Sequence, residues 1–546
     1  MTRADSIHPY ATMVDALIHR AEEMPDRVAY DFEDGVLTYA DLLADAEILA
    51  KGLFNRGVDR GGRCALVLDT GVELVRFLFA VQMLGAAPVV VDPGQPSPAI
   101  IRRLRDVRAE VAIASEHVLP MLHQENSRVH SRIRVRTSPQ VLTDAQGPRT
   151  SDVIPSRDDL AAIVLSPGTD GERHGITFKQ RHIAAWTGAI ADHLGLSGED
   201  VLASHAPLFV GMNLAWFVFL PLVAGCKSVF RPFAERTPEQ WLRAVAEHEP
   251  TFMAGNDSFL RLLAGARFWE TIDLGALRTV VDYGEPPRQT TIRDFETRFE
   301  CEGAVRPGYG LVETVGAVAV LAGRGVPMVD RNGIVASGQP LSVLSVRVVG
   351  KDGMDRSAGD IGEIAVSGEA VFEAYFDDRA LTGERLRGGW FHTGDLGYFD
   401  DDGNLFVLGR DHEIIRHRER SLLPRQVEEA AATVDDVELL AAVGRPPKDG
   451  SEDGHQTLVV VAEVSRTARE DRDQMKQISD GVNEAVKAAL RVAPDEVLLV
   501  KKGVVPRTAD GRTAYARLRE LVIGGGLARD GSILYGGKVF ISPLKR

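Results

Sequence analysis

The sequence predicts an α/β chain with two parts: a large N-terminal domain built on a buried parallel sheet, then a smaller α+β domain. Three observations carry this. Valine-rich strands alternate with a helix early in the chain, the strand pattern returns at 161–165, and the composition shifts at Gly409-Arg410. At 546 residues the chain is too long for one ordinary domain and suggests roughly two to four compact units.

In chain order, Val14, Leu17, Ile18 and Ala21 recur at helical spacing and predict an opening amphipathic helix. Residues 63–69 read as a strand, 71–85 as a helix and 87–92 as a second strand; the Val run implies burial on both faces of a parallel sheet. The run at 161–165 repeats the strand, followed by a Gly-containing loop and a helix from about Phe178. Asp401-Asp-Gly-Asn between apolar runs predicts a hairpin over 397–408. Beyond Arg410 come a basic loop, a helix opened by Pro424, a strand at 457–462 and a helix over about 471–490. Residues from about Leu521 are Gly-rich and read as a loose tail. The domains expected are 1–409 and 410–546.

There are 63 Lys and Arg against 78 Asp and Glu, for a net charge of −15. That balance argues against a nucleic-acid backbone as the main partner, since such binders need a basic face. The three cysteines, Cys64, Cys226 and Cys301, are too far apart for a disulfide framework or a zinc motif. A reducing cytoplasm fits best. No run of 18 apolar residues exists, so no membrane span is expected.

Several short motifs occur in a fixed order. The stretch Ser166-Pro-Gly-Thr-Asp-Gly-Glu-Arg-His-Gly175 follows a strand and is expected to precede a helix. Backbone N–H groups in such a turn can cradle phosphates. Asp282-Tyr-Gly-Glu-Pro286, Tyr309-Gly-Leu-Val-Glu313, Thr393-Gly-Asp395, Gly409-Arg410 and Pro506-Arg-Thr-Ala-Asp-Gly-Arg512 follow. Each is common singly; the ordered set is specific.

With these motifs the chain resembles, over nearly its whole length, the adenylate-forming (ANL) superfamily of acyl-CoA synthetases, adenylation domains and luciferases. Its flavour is closest to fatty acyl-AMP ligases. The resemblance implies a large N-terminal domain of stacked mixed sheets and helices, and a small mobile C-terminal domain. It implies acyl-AMP formation from an acid and ATP with magnesium, then transfer to a thiol. Tyr309 would stack on adenine, with Gly284, Glu285 and Pro286 on the other side and Gly310 beside it. Glu313 would meet the magnesium ion or phosphate, and Asp395 and Arg410 the ribose hydroxyls. A carboxylate suits two vicinal hydroxyls because it offers several lone pairs. Val210, Tyr283 and Gly308 would line the acyl pocket. Arg416, Arg418 and Arg420 would meet CoA phosphates, or form a solvated loop.

The departures from the family pattern are the informative part. In the phosphate loop, Pro167 replaces a serine, removing a hydroxyl and a backbone N–H together. Asp170 replaces a threonine; like charges ~4 Å apart cost about 4 kcal/mol at an effective dielectric of ~20. His174 replaces a lysine, and histidine carries little charge at neutral pH. Arg512 stands where the family has the lysine that touches the reacting carboxylate during adenylation; its planar guanidinium is a different donor. The nucleoside half is retained while the pyrophosphate half is eroded. This pattern is similar to that of non-adenylating acyl-CoA ligases of platensimycin-type diterpenoid biosynthesis, which implies a diterpenoid acid in antibiotic biosynthesis. The leading expectation is therefore transfer of a preformed acyl-AMP, made by a separate adenylating enzyme, to CoA or a carrier-protein thiol. The alternatives are a complete ATP-dependent ligase and an inactive AMP-binding regulatory partner.

Overall fold

A computed structural model describes residues 10–129, 133–146, 153–165, 174–210, 212–233, 236–266, 272–331, 333–418, 420–432, 434–446, 455–507, 513–529 and 532–536. The chain divides into two compact units. One comprises residues 1–393 and 397–407, the other 394–396 and 408–546.

The first unit is built on two large mixed sheets. In the nine-stranded sheet, Val28–Phe32, Lys227–Phe230, Val201–Ser204, Phe252–Gly255, Thr279–Asp282 and Val305–Gly310 run parallel as neighbours. Antiparallel strands close it at both edges. In the seven-stranded sheet, Leu160–Leu165, Ala87–Val90, Arg63–Val67, Val111–Ala114 and Arg134–Arg136 are parallel neighbours. The valine runs behave as the sequence requires: Ala87–Val90 is buried at every residue, as a parallel strand covered on both faces must be. The helix Val72–Met83 is apolar on nearly all sides and correspondingly buried all round. One core runs from Leu66 and Ile176 of the seven-stranded sheet, through Phe79 and Phe219, to Tyr30 and Phe230 of the nine-stranded sheet. The expected hairpin is present, with Trp390–Phe399 and Leu405–Arg410 joined through Asp400–Asn404 turn contacts in a further sheet.

One sequence expectation fails here. The phosphate-loop stretch does not lead from strand to helix. Gly175–Lys179 is itself a strand, antiparallel to Leu160–Leu165, and the helix begins only at Gln180. Ile176, Thr177 and Phe178 are β-formers in a short segment, and cross-strand pairing decides their state. The outer edge of this strand is covered by Ala374–Tyr375, with Thr177 Oγ1 donating to the Ala374 carbonyl at 2.7 Å across 197 residues of sequence.

In the second unit a four-stranded sheet runs in the order Val437–Arg445, Thr457–Val464, Glu496–Val500 and Ile533–Gly536. Its faces follow strand alternation: Leu440, Ala442, Leu458 and Val460 pack under the helices Pro424–Ala431 and Arg472–Leu490. Ala441, Val443, Val459 and Val461 instead face Leu518 and Val522 of Tyr515–Ile523. The end of the chain is thus not a loose tail over its described part. Ile533–Gly536 pairs antiparallel with Glu496–Val500, giving its apolar residues a partner that local sequence could not reveal.

All three cysteines are buried and unpaired; burial pushes the Cys64 thiol up to about 12. They serve packing. Among the described residues no helix is long and apolar enough to cross a membrane.

Candidate active site

The retained motifs of the first unit gather where parallel strands end. Val201–Ser204, Phe252–Gly255, Thr279–Asp282 and Val305–Gly310 all point their carboxyl ends the same way, and the segments leaving them carry the candidate residues. Ligands of open α/β sheets bind at such carboxyl ends.

After Asp282 the chain turns sharply at Gly284, whose φ of +89° is a conformation glycine adopts without strain. Glu285 is fixed there: Ser258 donates its backbone N–H to Glu285 Oε2 at 3.0 Å and its hydroxyl to the same oxygen at 2.9 Å. Pro286 follows, half-buried. Tyr309 lies on the neighbouring strand, 8% exposed and packed into the main core. Gly310 must be glycine for lack of space, since a Cβ there would stand 2.5 Å from the Gly316 carbonyl oxygen. Glu313 sits in the short turn Val312–Thr314, and Glu313 Oε1 accepts from the Tyr375 hydroxyl at 2.9 Å.

The structure also brings His174 to this group. Its ring stands edge-on to Tyr375 at 5.8 Å, and His174 Nδ1 lies 3.8 Å from Asp378 Oδ2. A histidine beside a carboxylate therefore stands at the position where the sequence resemblance leads one to expect a lysine. Pro167, Asp170 and Arg512 lie outside the described residues.

On the expected acyl side, the Tyr283 hydroxyl donates to Asn213 Oδ1 at 3.4 Å, and the Val210 carbonyl accepts the Asn213 N–H at 3.2 Å. Tyr283 and Val210 are thus linked through Asn213. Gly308 lies on the adjacent strand, where a Cβ would meet the Ala319 carbonyl at 3.3 Å and Val281 at 3.5 Å.

Asp282 is fully buried, and neither carboxylate oxygen has a hydrogen-bond partner among the described residues. Burial pushes its carboxyl well above the usual carboxylate range; Asp257 and Glu285 add repulsion and Arg288 opposes them.

In the second unit Asp395 and Arg410 do come together, with Arg410 Nε 3.4 Å from Asp395 Oδ1. The Asp411 N–H donates to the Gly394 carbonyl and ties the two short segments. Arg416 pairs with Asp411 at 2.9 Å, and Arg420 donates to the Leu490 carbonyl at 2.7 Å. Arg418 sits between them with φ +53°.

Sequence reasoning missed Ser258, Asn213, Tyr375 and Asp378, which reach the site from separate segments. Asn213, three residues after Val210, was the most accessible of these. A magnesium ion usually binds one or two carboxylates together with substrate phosphates. Glu313, whose Oε1 accepts from Tyr375, would be the carboxylate offered to a magnesium ion arriving on the nucleotide.

The fold recurs among known proteins. The family model described as AMP-binding enzyme matches residues 17–376. A feruloyl-CoA synthase of Amycolatopsis sp is 28% identical over 450 residues, covering 82% of this chain and 88% of that protein. A 2-succinylbenzoate–CoA ligase of Geobacillus kaustophilus is 27% identical, with coverages of 79% and 84%. The anthranilate CoA ligase AuaEII in complex with anthranoyl-AMP superposes with a TM-score of 0.82 at 21% identity, over 96% of this chain and all of that one. A family model spanning well over half of the chain, on a fold shared with adenylate-forming enzymes, makes this chain a member of the AMP-binding enzyme family of the ANL superfamily.

Proposed function

We propose that the chain takes a preformed acyl-AMP and transfers its acyl group to CoA, releasing AMP. The attacking thiolate forms a thioester bond at the acyl carbonyl as the bond to the phosphate oxygen breaks. The nucleotide leaves as a stable anion, so positioning and charge stabilisation supply most of the catalysis. The observation that carries the reading is the asymmetry of the site. Tyr309, Glu285, Asp395 and Arg410, the expected AMP contacts, are retained. The phosphate loop instead has Pro167 and Asp170, and its His174 faces Asp378 at 3.8 Å rather than offering a lysine to a triphosphate. Acyl-AMP needs the first set only. The second unit moves between steps in this reading, with Arg416, Arg418 and Arg420 meeting CoA phosphates. A separate enzyme of the cytoplasm supplies the adenylate, and the diterpenoid resemblance makes a bulky polycyclic acid the first acyl group to try.

A second reading, a complete ATP-dependent ligase, is favoured by the relatives, which bear the names of CoA synthases and CoA ligases. A split assay read by mass spectrometry separates the two. One reaction holds enzyme, a panel of acids, ATP with magnesium, and CoA; the other holds the matching synthetic acyl-AMPs and CoA, against an enzyme-free control. Acyl-CoA in the second reaction alone supports the transferase. Acyl-CoA in both refutes it. Arg512→Lys then tests the lost lysine: a gain of ATP-dependent product identifies Arg512 as one cause of the block, and no gain assigns it to the loop.

A further inference from the structure

The chain's one described π-helical turn, Ala215–Phe219, holds Trp216 in the core beside Tyr283. Such turns occur frequently at functional sites. Trp216 is 0% exposed and enclosed by aromatic rings: Trp186 edge-on at 4.9 Å, Phe252 stacked at 5.9 Å and Tyr283 at 5.5 Å. The other fully buried tryptophans satisfy their indole N–H groups. Trp186 donates to the Ala317 carbonyl at 3.0 Å and Trp241 to the Arg231 carbonyl at 2.7 Å. Trp216 Nε1 is buried with no acceptor among the described residues. A buried indole normally finds a partner, and an orphaned donor calls for an explanation. A phenylalanine would fill the same apolar enclosure without stranding a donor.

The position of Trp216 supplies one. Tyr283, in contact with its ring, leads directly into Gly284 and Glu285 of the expected nucleoside loop. Asn213, which accepts from the Tyr283 hydroxyl, lies three residues before Trp216. In the proposed site, an acyl group extending from the nucleotide past Tyr283 would reach the indole that this ring touches. We infer that Trp216 Nε1 is a specificity determinant that donates a hydrogen bond to an oxygen carried by the acyl group, so that the substrates are apolar acids bearing a neutral acceptor. The inference rests on the proposed acyl-AMP site. The acceptor is a ketone, ether or hydroxyl oxygen and not a second carboxylate. The ring neighbours of Trp216 bring no cation, and a charge buried without one is strongly disfavoured.

The test uses non-hydrolysable acyl-sulfamoyl adenosines in matched pairs, a ring ketone against the corresponding methylene compound, with the oxygen placed at successive positions along the skeleton. Binding is measured by calorimetry on the full chain, so the result does not depend on whether the chain adenylates, thioesterifies or does neither. The expected result is a preference of roughly tenfold for the ketone member of at least one pair. Trp216→Phe brings that ratio to about one. In the unsubstituted chain labelled with ¹⁵N at the indoles, one indole proton moves downfield with the ketone compound and not with its partner, which keeps the test valid if the variant folds poorly. Equal affinities throughout every pair, or a ketone preference that survives Trp216→Phe, overturns the inference. Binding of AMP with no binding of any acyl analogue overturns it too, by removing the acyl pocket from this place.

Discussion

Gly316→Ala is the smallest change that should damage the first unit severely, and the geometry fixes why. A Cβ built at Gly316 would stand 2.2 Å from Cζ2 and 2.5 Å from Cε2 of Trp186. Ordinary carbon contacts begin near ~3.5 Å, so more than ~1 Å must be recovered. Trp186 has nowhere to yield, being 0% exposed, held by its indole N–H to Ala317 and wedged against Trp216. Overpacking of a tight core costs ~1–3 kcal/mol. If the ring swings away, the indole donor and its carbonyl lose each other at a further ~1–3 kcal/mol. The total is about 2–6 kcal/mol. For a unit this large each kcal/mol moves the midpoint by ~1–2 °C, extrapolating from smaller domains, so a fall of roughly 2–12 °C is expected in scanning calorimetry. A double-mutant cycle sharpens the test. Adding Trp186→Leu to Gly316→Ala should cost less than Trp186→Leu costs alone, because it removes the collision. A Gly316→Ala midpoint within 1 °C of the parent (a margin of about half a kcal/mol), or costs that simply add, would refute the packing argument.

Asp200 is 3% exposed and accepts from Arg278, from the Thr251 hydroxyl at 2.6 Å and from the Ser197 N–H at 2.8 Å. Burial alone would raise its carboxyl, but Arg278, Thr251 and Ser197 hold it below the usual range. Asp200→Asn should cost about 3 kcal/mol at neutral pH in urea unfolding, with the penalty shrinking as pH falls below ~4; a pH-independent penalty contradicts this. Asp282 has the opposite sign. Its raised value makes the native chain hold a proton that the unfolded chain releases above ~4, so Asp282→Asn should gain stability relative to the parent as pH rises from 4.5 to 7.5. Equal differences at the two pH values count against the protonated carboxyl. Asp395→Asn should weaken AMP binding in calorimetry by ~10–100-fold, the worth of charge-assisted bonds to two hydroxyls; unchanged affinity removes Asp395 from the ribose site.

What was legible in the sequence was whatever a local pattern encodes. The apolar run at 63–67 and the Val run that follows Pro88 read as strands covered on both faces, and the apolar stretch between glycines 71 and 85 as an enclosed helix. The hairpin announced itself through its Asp-Gly-Asn turn. Two elements escaped for a common reason: Gly175–Lys179 and Ile533–Gly536 are strands because of partners found elsewhere. The candidate site divides in the same way. Tyr309, Glu285 and Asp395 stand in motifs, whereas Ser258 and Tyr375 earn their places only through the contacts they make with Glu285 and Glu313.

The two-residue strand Ala374–Tyr375 also sets a timetable. It completes the edge of the Gly175–Lys179 strand and supplies the hydroxyl that holds Glu313, yet it lies 197 residues downstream of Thr177. A ribosome adding ~5–20 residues each second reaches it ~10–40 s after the strand it must cover. Throughout that interval the nascent chain carries an open, valine-backed sheet edge, a hazard for edge-to-edge association. The early sheet therefore emerges before its own cover, and its exposure in the cell is governed by the speed of translation through the next third of the message.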